Sequence, residues 1–205
     1  PITQLVPELS LSGLWGASSI TVRHLLTHTS GFPDNWDEID ASREDAALAE
    51  WATRQSAVRL HAPPGSFYNY TNPGYMLAGL VLERAGGTPY RAYVEDRVFA
   101  AAGLASTTFS TSAAQASHNF AYGHFRAGGG GRETYFSPNS YDSAAAAPAG
   151  YAISTAHDLV RWAALLMDGG GTVLSPASAG ALQGRQTYMD YVPDLYYGYG
   201  VMRQQ

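Results

Sequence analysis

The stretch PPGSFYNYTNPGYMLAGLVLERAGG, Pro63–Gly87, carries the clearest helix signal in this chain. Asn72 is a favourable residue at a helix N-cap, and Pro73 suits the first helical position, where no backbone N–H is required. Apolar residues follow at helical spacing, and Gly86 and Gly87 are of the type that commonly ends a helix. The pattern predicts a helix that begins at Asn72, directly after a run of aromatic residues.

Similar start signals predict further helices, because Ser and Thr cap helix N-termini and Pro suits the first turn. These helices are expected to begin near Ser42 (as a capping box with Asp45), Thr88, Thr155 and Ser175. The stretch FAYGHFRAGGGGRETYFS, residues 120–137, places aromatic residues on both sides of four glycines and predicts a β-hairpin. The stretch DSAAAAPAG, residues 142–150, fits either a helix or a loop.

Composition excludes several classes of function. The net charge is −5 and all 12 basic residues are scattered arginines, so we expect no nucleic-acid partner. The sequence contains no Cys, which excludes disulfides and thiolate nucleophiles, and it has no apolar run long enough for a membrane span. No cofactor motif is present, and we expect none to be bound.

Two histidines, His24 and His28, are spaced at i and i+4, which on one helix would place both imidazoles on the same face. This spacing can bind zinc, but the Glu of a zinc-protease motif is missing, and only Asp34 and Asp37 are nearby as further ligands. We therefore favour structural roles for both histidines and predict no metal site.

Other nucleophile and phosphate motifs are absent. Ser30 lies in Thr-Ser-Gly and not in the Gly-x-Ser-x-Gly turn of α/β-hydrolases, so we interpret it as a turn serine. The four glycines at 128–131 are followed by no Lys and do not form a phosphate loop.

Tyr70 and Asn72 are the main candidates for chemistry, because they lie at the predicted helix N-terminus. A helix end stabilises nearby negative charge by only about 0.3–1 kcal/mol, so a tyrosine that accepts a proton there also needs a nearby cation. Most of the 14 tyrosines must be packing residues, and position alone does not make Tyr70 catalytic.

Three stretches that occur in a fixed order support a functional role for Tyr70 and Asn72. They are ITVRHLLTHTSGFPD (20–34), PPGSFYNYTNPGYMLAGLVLERAGGTPYRAYVEDRVFAAAGLASTTF (63–109) and APAGYAISTAHDLVRWAALLMDGG (147–170). With them the chain closely resembles the serine β-lactamase-like family over Ile20 to Met202. This family comprises class C β-lactamases, D-alanyl-D-alanine carboxypeptidases, related esterases and D-amino-acid peptidases. The resemblance implies that Tyr70-Thr71-Asn72 is the family's Tyr-x-Asn motif, with Tyr70 in proton transfer and Asn72 in substrate binding.

The family's other two motifs, Ser-x-x-Lys and a late Lys-Thr-Gly or His-x-Gly, do not occur in this sequence, which has no lysine. We therefore expect the chain to be the middle of a longer serine hydrolase, inactive by itself, with the nucleophile outside it. The alternative is a naturally truncated binding or structural module of the same fold.

The resemblance also implies an architecture. We expect an α+β, mainly helical domain of the β-lactamase/transpeptidase-like fold, with a small hairpin and without most of the family's β-sheet. Its parts are an N-terminal loop (1–19), a helical part with the Tyr-x-Asn motif (20–103), hairpin and loops (104–150), and a helical part with a final strand (151–205). A β-lactam, D-Ala-type peptide or ester substrate, an extracytoplasmic location and self-association through an uncovered apolar face are further expectations.

Overall fold

The computed structural model describes residues 1–34, 42–123, 125–126, 132–133 and 142–204. Its α-helices are α1 (Val22–Leu26), α2 (Ala47–Thr53), α3 (Asn72–Gly86), α4 (Tyr90–Val94), α5 (Thr111–Ala116), α6 (Ala156–Met167) and α7 (Pro176–Gln183). Its strands are β1 (Phe125–Arg126), β2 (Arg132–Glu133), β3 (Thr187–Tyr188), β4 (Leu195–Tyr197) and β5 (Met202–Gln204). Short 3-10 turns and a π-helical turn at Glu95–Ala100 connect these elements. No helix in this described part of the chain is long and apolar enough to cross a membrane.

The central helix is α3, and its ends are close to those predicted. Pro73 lies in its first turn, and Gly87 ends it in the left-handed conformation (φ 65°), with its N–H bonded to the Glu83 carbonyl at 2.8 Å. Met76 and Leu80 of α3 are fully buried in the main core. The formal N-cap is Thr71 and not Asn72, which is the first helical residue.

The main core surrounds α3. Trp51 and Leu48 of α2 contribute to it, and so do apolar residues of the first 20 positions, among them Ile2, Val6 and Ile20. The N-terminal segment, expected only as a loop that leads into the domain, therefore also stabilises the core.

Helix α2 starts later than its sequence suggests. The predicted capping box at Ser42 is not formed, because the Ser42 hydroxyl accepts the Glu44 N–H two residues on (3.2 Å), which is the geometry of a turn. The helix begins only at Ala47. By contrast, α6 and α7 begin as predicted, since Thr155 accepts the Asp158 N–H and Ser175 accepts the Ser178 N–H.

The β-structure is larger than the sequence indicates. Strands β1 and β2 pair antiparallel, which confirms the hairpin, while the glycines between them lie outside the described residues. In addition, β3, β4 and β5 form a three-stranded antiparallel sheet in that order, where only one final strand was predicted. Strands of two or three residues are too short to show an alternating pattern. The ambiguous segment 142–150 ends in a 3-10 turn, Ala147–Ala149.

Candidate active site

Tyr70 and Asn72 lie together at the N-terminus of α3. The Tyr70 hydroxyl is 3.4 Å from Asn72 Oδ1, and it is positioned to donate a hydrogen bond to this oxygen. Tyr70 is 49% exposed, whereas Asn72 is 3% exposed. The pair therefore has one rigid, buried member and one that is accessible to a reacting group.

The Asp34 carboxylate fixes the side chain of Asn72. Its Oδ1 accepts the backbone N–H of Asn72 at 2.9 Å and the Asn72 side-chain Nδ2–H at 3.0 Å. This carboxylate also places a negative charge at the positive end of α3, which is favourable by about 0.3–1 kcal/mol. Since Oδ1 of Asn72 accepts the Tyr70 hydroxyl, one Nδ2 hydrogen of Asn72 remains for another partner.

His28 contacts the motif from the other side. It is buried, and its Nδ1 accepts the Thr71 N–H at 3.2 Å. Burial lowers the pKa of His28 to about 4, although the nearby Asp34 carboxylate acts in the opposite direction. His28 is therefore neutral at pH 7, as an Nδ1 acceptor must be.

The zinc hypothesis assumed that His24 and His28 share a helix face, and this assumption is wrong. Helix α1 ends at Leu26, and His28 has a left-handed backbone (φ 54°). The Nδ1 atom of His24 instead accepts the Thr21 N–H at 3.3 Å and closes the capping box of α1. The residues described include no cluster of three or more His, Asp or Glu that could hold a metal ion, and Asp37 lies outside them.

Four tyrosine rings surround the His28 imidazole at centroid distances of 4.5–5.7 Å: Tyr68, Tyr70, Tyr75 and Tyr197. Tyr75 donates its hydroxyl to the Leu26 carbonyl at 3.0 Å, and burial raises the pKa of both Tyr75 and Tyr197. These two tyrosines therefore remain neutral, and they act as packing groups beneath the accessible Tyr70.

A cleft of about 560 Å³ opens beside the motif. Its lining includes the polar groups of the motif and His28. It also includes apolar and aromatic residues, called the apolar wall below: Tyr90, Val94, Phe99, Phe109, Pro148 and Trp162. Among the described residues that line the cleft there is no arginine, so the cation that a reactive Tyr70 requires is not supplied by them.

Ser30, the other serine considered, is fully buried. Its Oγ accepts the Phe32 N–H at 3.3 Å, which is the bond of a turn serine. The glycines at 128–131 lie outside the described residues.

The fold and this cleft define a class of protein, and comparison with known families identifies it. The β-lactamase family model matches residues 1–205, and the chain belongs to that family. The solved structures similar to it have the penicillin-binding protein and β-lactamase fold, which confirms the predicted resemblance.

Three relatives illustrate the similarity. Penicillin-binding protein 4 of Amycolatopsis lactamdurans is 28% identical over 189 residues, which are 89% of this chain and 48% of the relative. The octameric penicillin-binding protein homologue from Pyrococcus abyssi aligns over 98% of this chain and 46% of its own, with a TM-score of 0.80 and 20% identity. The D-amino acid amidase of Ochrobactrum anthropi SV3 aligns over 100% and 58%, with a TM-score of 0.72 and 25% identity. The chain thus spans about half the length of these relatives.

Proposed function

We propose that this chain supplies the Tyr-x-Asn part of the active site of a serine hydrolase that works through an acyl-enzyme. The placement of Tyr70 is the main support for this proposal. Its side chain is accessible, and its hydroxyl lies 3.4 Å from the oxygen of the hydrogen-bonded Asn72 side chain. Both residues line a cleft that is large enough for a small substrate. The membership of the β-lactamase family and the hydrolases among the relatives support this assignment.

In this proposal Tyr70 reacts as the phenolate: the serine oxygen of the complete protein attacks the substrate carbonyl carbon, and its proton moves to the Tyr70 oxygen. The bond from the carbonyl carbon to the leaving nitrogen or oxygen then breaks, and Tyr70 returns the proton to the leaving group. The proposal also requires a serine nucleophile and a lysine from beyond residues 1–205, with the lysine as the cation beside Tyr70. The remaining Nδ2 hydrogen of Asn72 is available to bind a substrate carbonyl oxygen.

The proposed substrates are compounds with an amide, ester or β-lactam carbonyl and an apolar group that fits the aromatic wall of the cleft. From its membership of the β-lactamase family, we also propose that the complete protein acts outside the cytoplasm.

The test is Tyr70→Phe in the complete gene product, with Tyr122→Phe as the matched control, since Tyr122 is equally exposed but does not line the cleft. We expect turnover of a chromogenic cephalosporin, a p-nitrophenyl ester or a D-amino-acid amide to fall about 10²–10⁴-fold for Tyr70→Phe only, because a positioned proton-transfer group contributes this much. An unchanged turnover number would remove Tyr70 from the reaction. A complete protein that turns over none of these substrates and forms no adduct with labelled penicillin would favour the non-catalytic module.

A further inference from the structure

The loop that contains His28 forms most of the contacts that position the Tyr-x-Asn motif. His28 accepts two backbone amides, that of Asn69 through its carbonyl oxygen (2.7 Å) and that of Thr71 through Nδ1 (3.2 Å). The Thr71 hydroxyl donates to the Pro33 carbonyl at 3.2 Å, and the Asp34 carboxylate binds Asn72. The backbone on both sides of Tyr70 is therefore bonded to residues about 40 positions earlier.

We propose that His28 is a positioning residue of this active site, which holds the Tyr70 ring and the backbone of Thr71 in the geometry needed for proton transfer. This inference rests on the function proposed above. His28 touches Tyr70 directly, since the two rings are tilted by 36° at a centroid distance of 4.5 Å. It acts on the reaction only through Tyr70 and the motif backbone.

His28 combines three features at this site: a flat ring against Tyr70, an acceptor for the Thr71 N–H, and a backbone φ of 54°. The acceptor and the positive φ fix the motif backbone, and the ring adds a packing contact with Tyr70. His and Asn are enriched among non-glycine residues with such positive φ values. Asn can present its Oδ1 near the place of Nδ1, whereas Phe retains a ring but has no acceptor.

Neutrality of the imidazole is part of the same arrangement. Asp34 is the carboxylate that acts on His28, and Tyr68, Tyr70, Tyr75 and Tyr197 are the other titratable groups around its ring. Burial outweighs the carboxylate and keeps Nδ1 unprotonated at neutral pH. Because Nδ1 accepts a hydrogen bond, the ring proton of the neutral form resides on Nε2.

The experiment compares His28→Phe and His28→Asn in the complete protein. His118→Phe is the control, because His118 has a similar φ of 57° on an exposed loop and therefore carries the same backbone penalty without touching the motif. We expect His28→Phe to lower kcat about 10–100-fold with KM changed less than about threefold, since a small misplacement of a reacting group has effects of this size. His28→Asn should restore kcat to within about fivefold of wild type, and His118→Phe should leave it unchanged.

Imidazole ¹⁵N shifts of the histidine-labelled complete protein give a readout that does not need turnover. We expect the His28 resonances, assigned by their loss in His28→Asn, to show the Nε2–H tautomer from pH 6 to 8. A Nδ1–H tautomer at pH 7, or equal kcat values for His28→Phe and wild type, would overturn the positioning role. If Tyr70→Phe lowers kcat while His28→Phe does not, this inference alone fails. If the wild type forms no acyl-enzyme, the proposed function fails, and the positioning role of His28 with it.

Discussion

At the residue scale, carboxylates connect distant parts of this chain, and the buried Asp158 is the clearest case outside the candidate active site. Its Oδ2 accepts the Ser106 N–H and the Thr107 hydroxyl, both at 2.8 Å, while its own N–H is bonded to Thr155. It is the only buried residue of α6, so this one side chain attaches the start of the helix to the loop after residue 103.

The hydrogen bonds of Asp158 make stability depend on pH. Burial raises the pKa of its carboxyl, but the bonds from Thr107 and the Ser106 amide outweigh that effect, and the pKa lies below its usual value. A group whose folded pKa is lower than its unfolded pKa stabilises the protein above the unfolded value, about 3.9 for Asp, and this contribution is lost as pH falls further.

We therefore predict that urea midpoints of the complete protein fall below pH 4 and that Asp158→Asn reduces this dependence while lowering the midpoint at pH 7. Asp96→Asn is the control, since Asp96 is exposed. Parallel pH curves for wild type and Asp158→Asn would show that another group is responsible.

At the element scale, the close approach of α3 to the 3-10 turn at Ala147–Ala149 shapes the cleft. Gly79 permits it, because a Cβ atom at this position would overlap the ring of Pro148. Pro148 in turn belongs to the apolar wall of the cleft. A glycine in the middle of a helix is unfavourable by about 1 kcal/mol relative to Ala, and here it allows two elements to pack.

We predict that Gly79→Ala lowers the free energy of unfolding by about 1–3 kcal/mol, because overpacking outweighs the better helix propensity of Ala. Gly180→Ala is the matched control: Gly180 lies in α7, and a methyl group added there would meet no neighbouring heavy atom, so the same change should raise stability by about 0.5–1 kcal/mol. Denaturant unfolding of both variants measures the difference, and a stabilising Gly79→Ala would contradict the proposed packing role.

The sequence alone predicts the ends of these elements better than their contacts. The caps at Thr155 and Ser175 form as expected because capping joins residues three positions apart. Asn72 was predicted as the cap of its own helix, but its side chain is bonded to Asp34 and Tyr70 instead. A partner 38 residues away cannot be identified from local spacing.

At the scale of the whole molecule, α6 presents apolar side chains to solvent. Leu159 and Val160 are exposed, and Met167 is 87% exposed. Met202 of β5 is a further exposed apolar residue, and it lines a shallow groove with Met167. Exposed apolar surface of this kind favours association.

We predict that the 205-residue chain, expressed alone, self-associates through this face. The double variant Val160→Glu/Met167→Glu should shift sedimentation toward the monomer. Leu14→Glu should not, because Leu14 is 90% exposed but is not part of α6. A monodisperse wild-type monomer at millimolar concentration would contradict the prediction.

The absence of lysine gives a second prediction at this scale. The 205-residue chain by itself should form no covalent adduct with labelled penicillin, because it has no lysine to activate a serine in Ser-x-x-Lys. Intact mass spectrometry tests this, with the complete protein as the positive control. A stoichiometric adduct on the short chain would show that it carries its own nucleophile.

Local sequence signals correctly locate the starts of α3, α6 and α7 and place Tyr70 and Asn72 at the N-terminus of α3, because caps, prolines and glycines act within a few residues. What surrounds the motif depends on packing in the folded chain. The left-handed backbone of His28, the two bonds from Asp34 and the ring of tyrosines all depend on packing between residues far apart in the chain. Local patterns carry no record of such contacts, because the side chains that make them are compatible with many other positions.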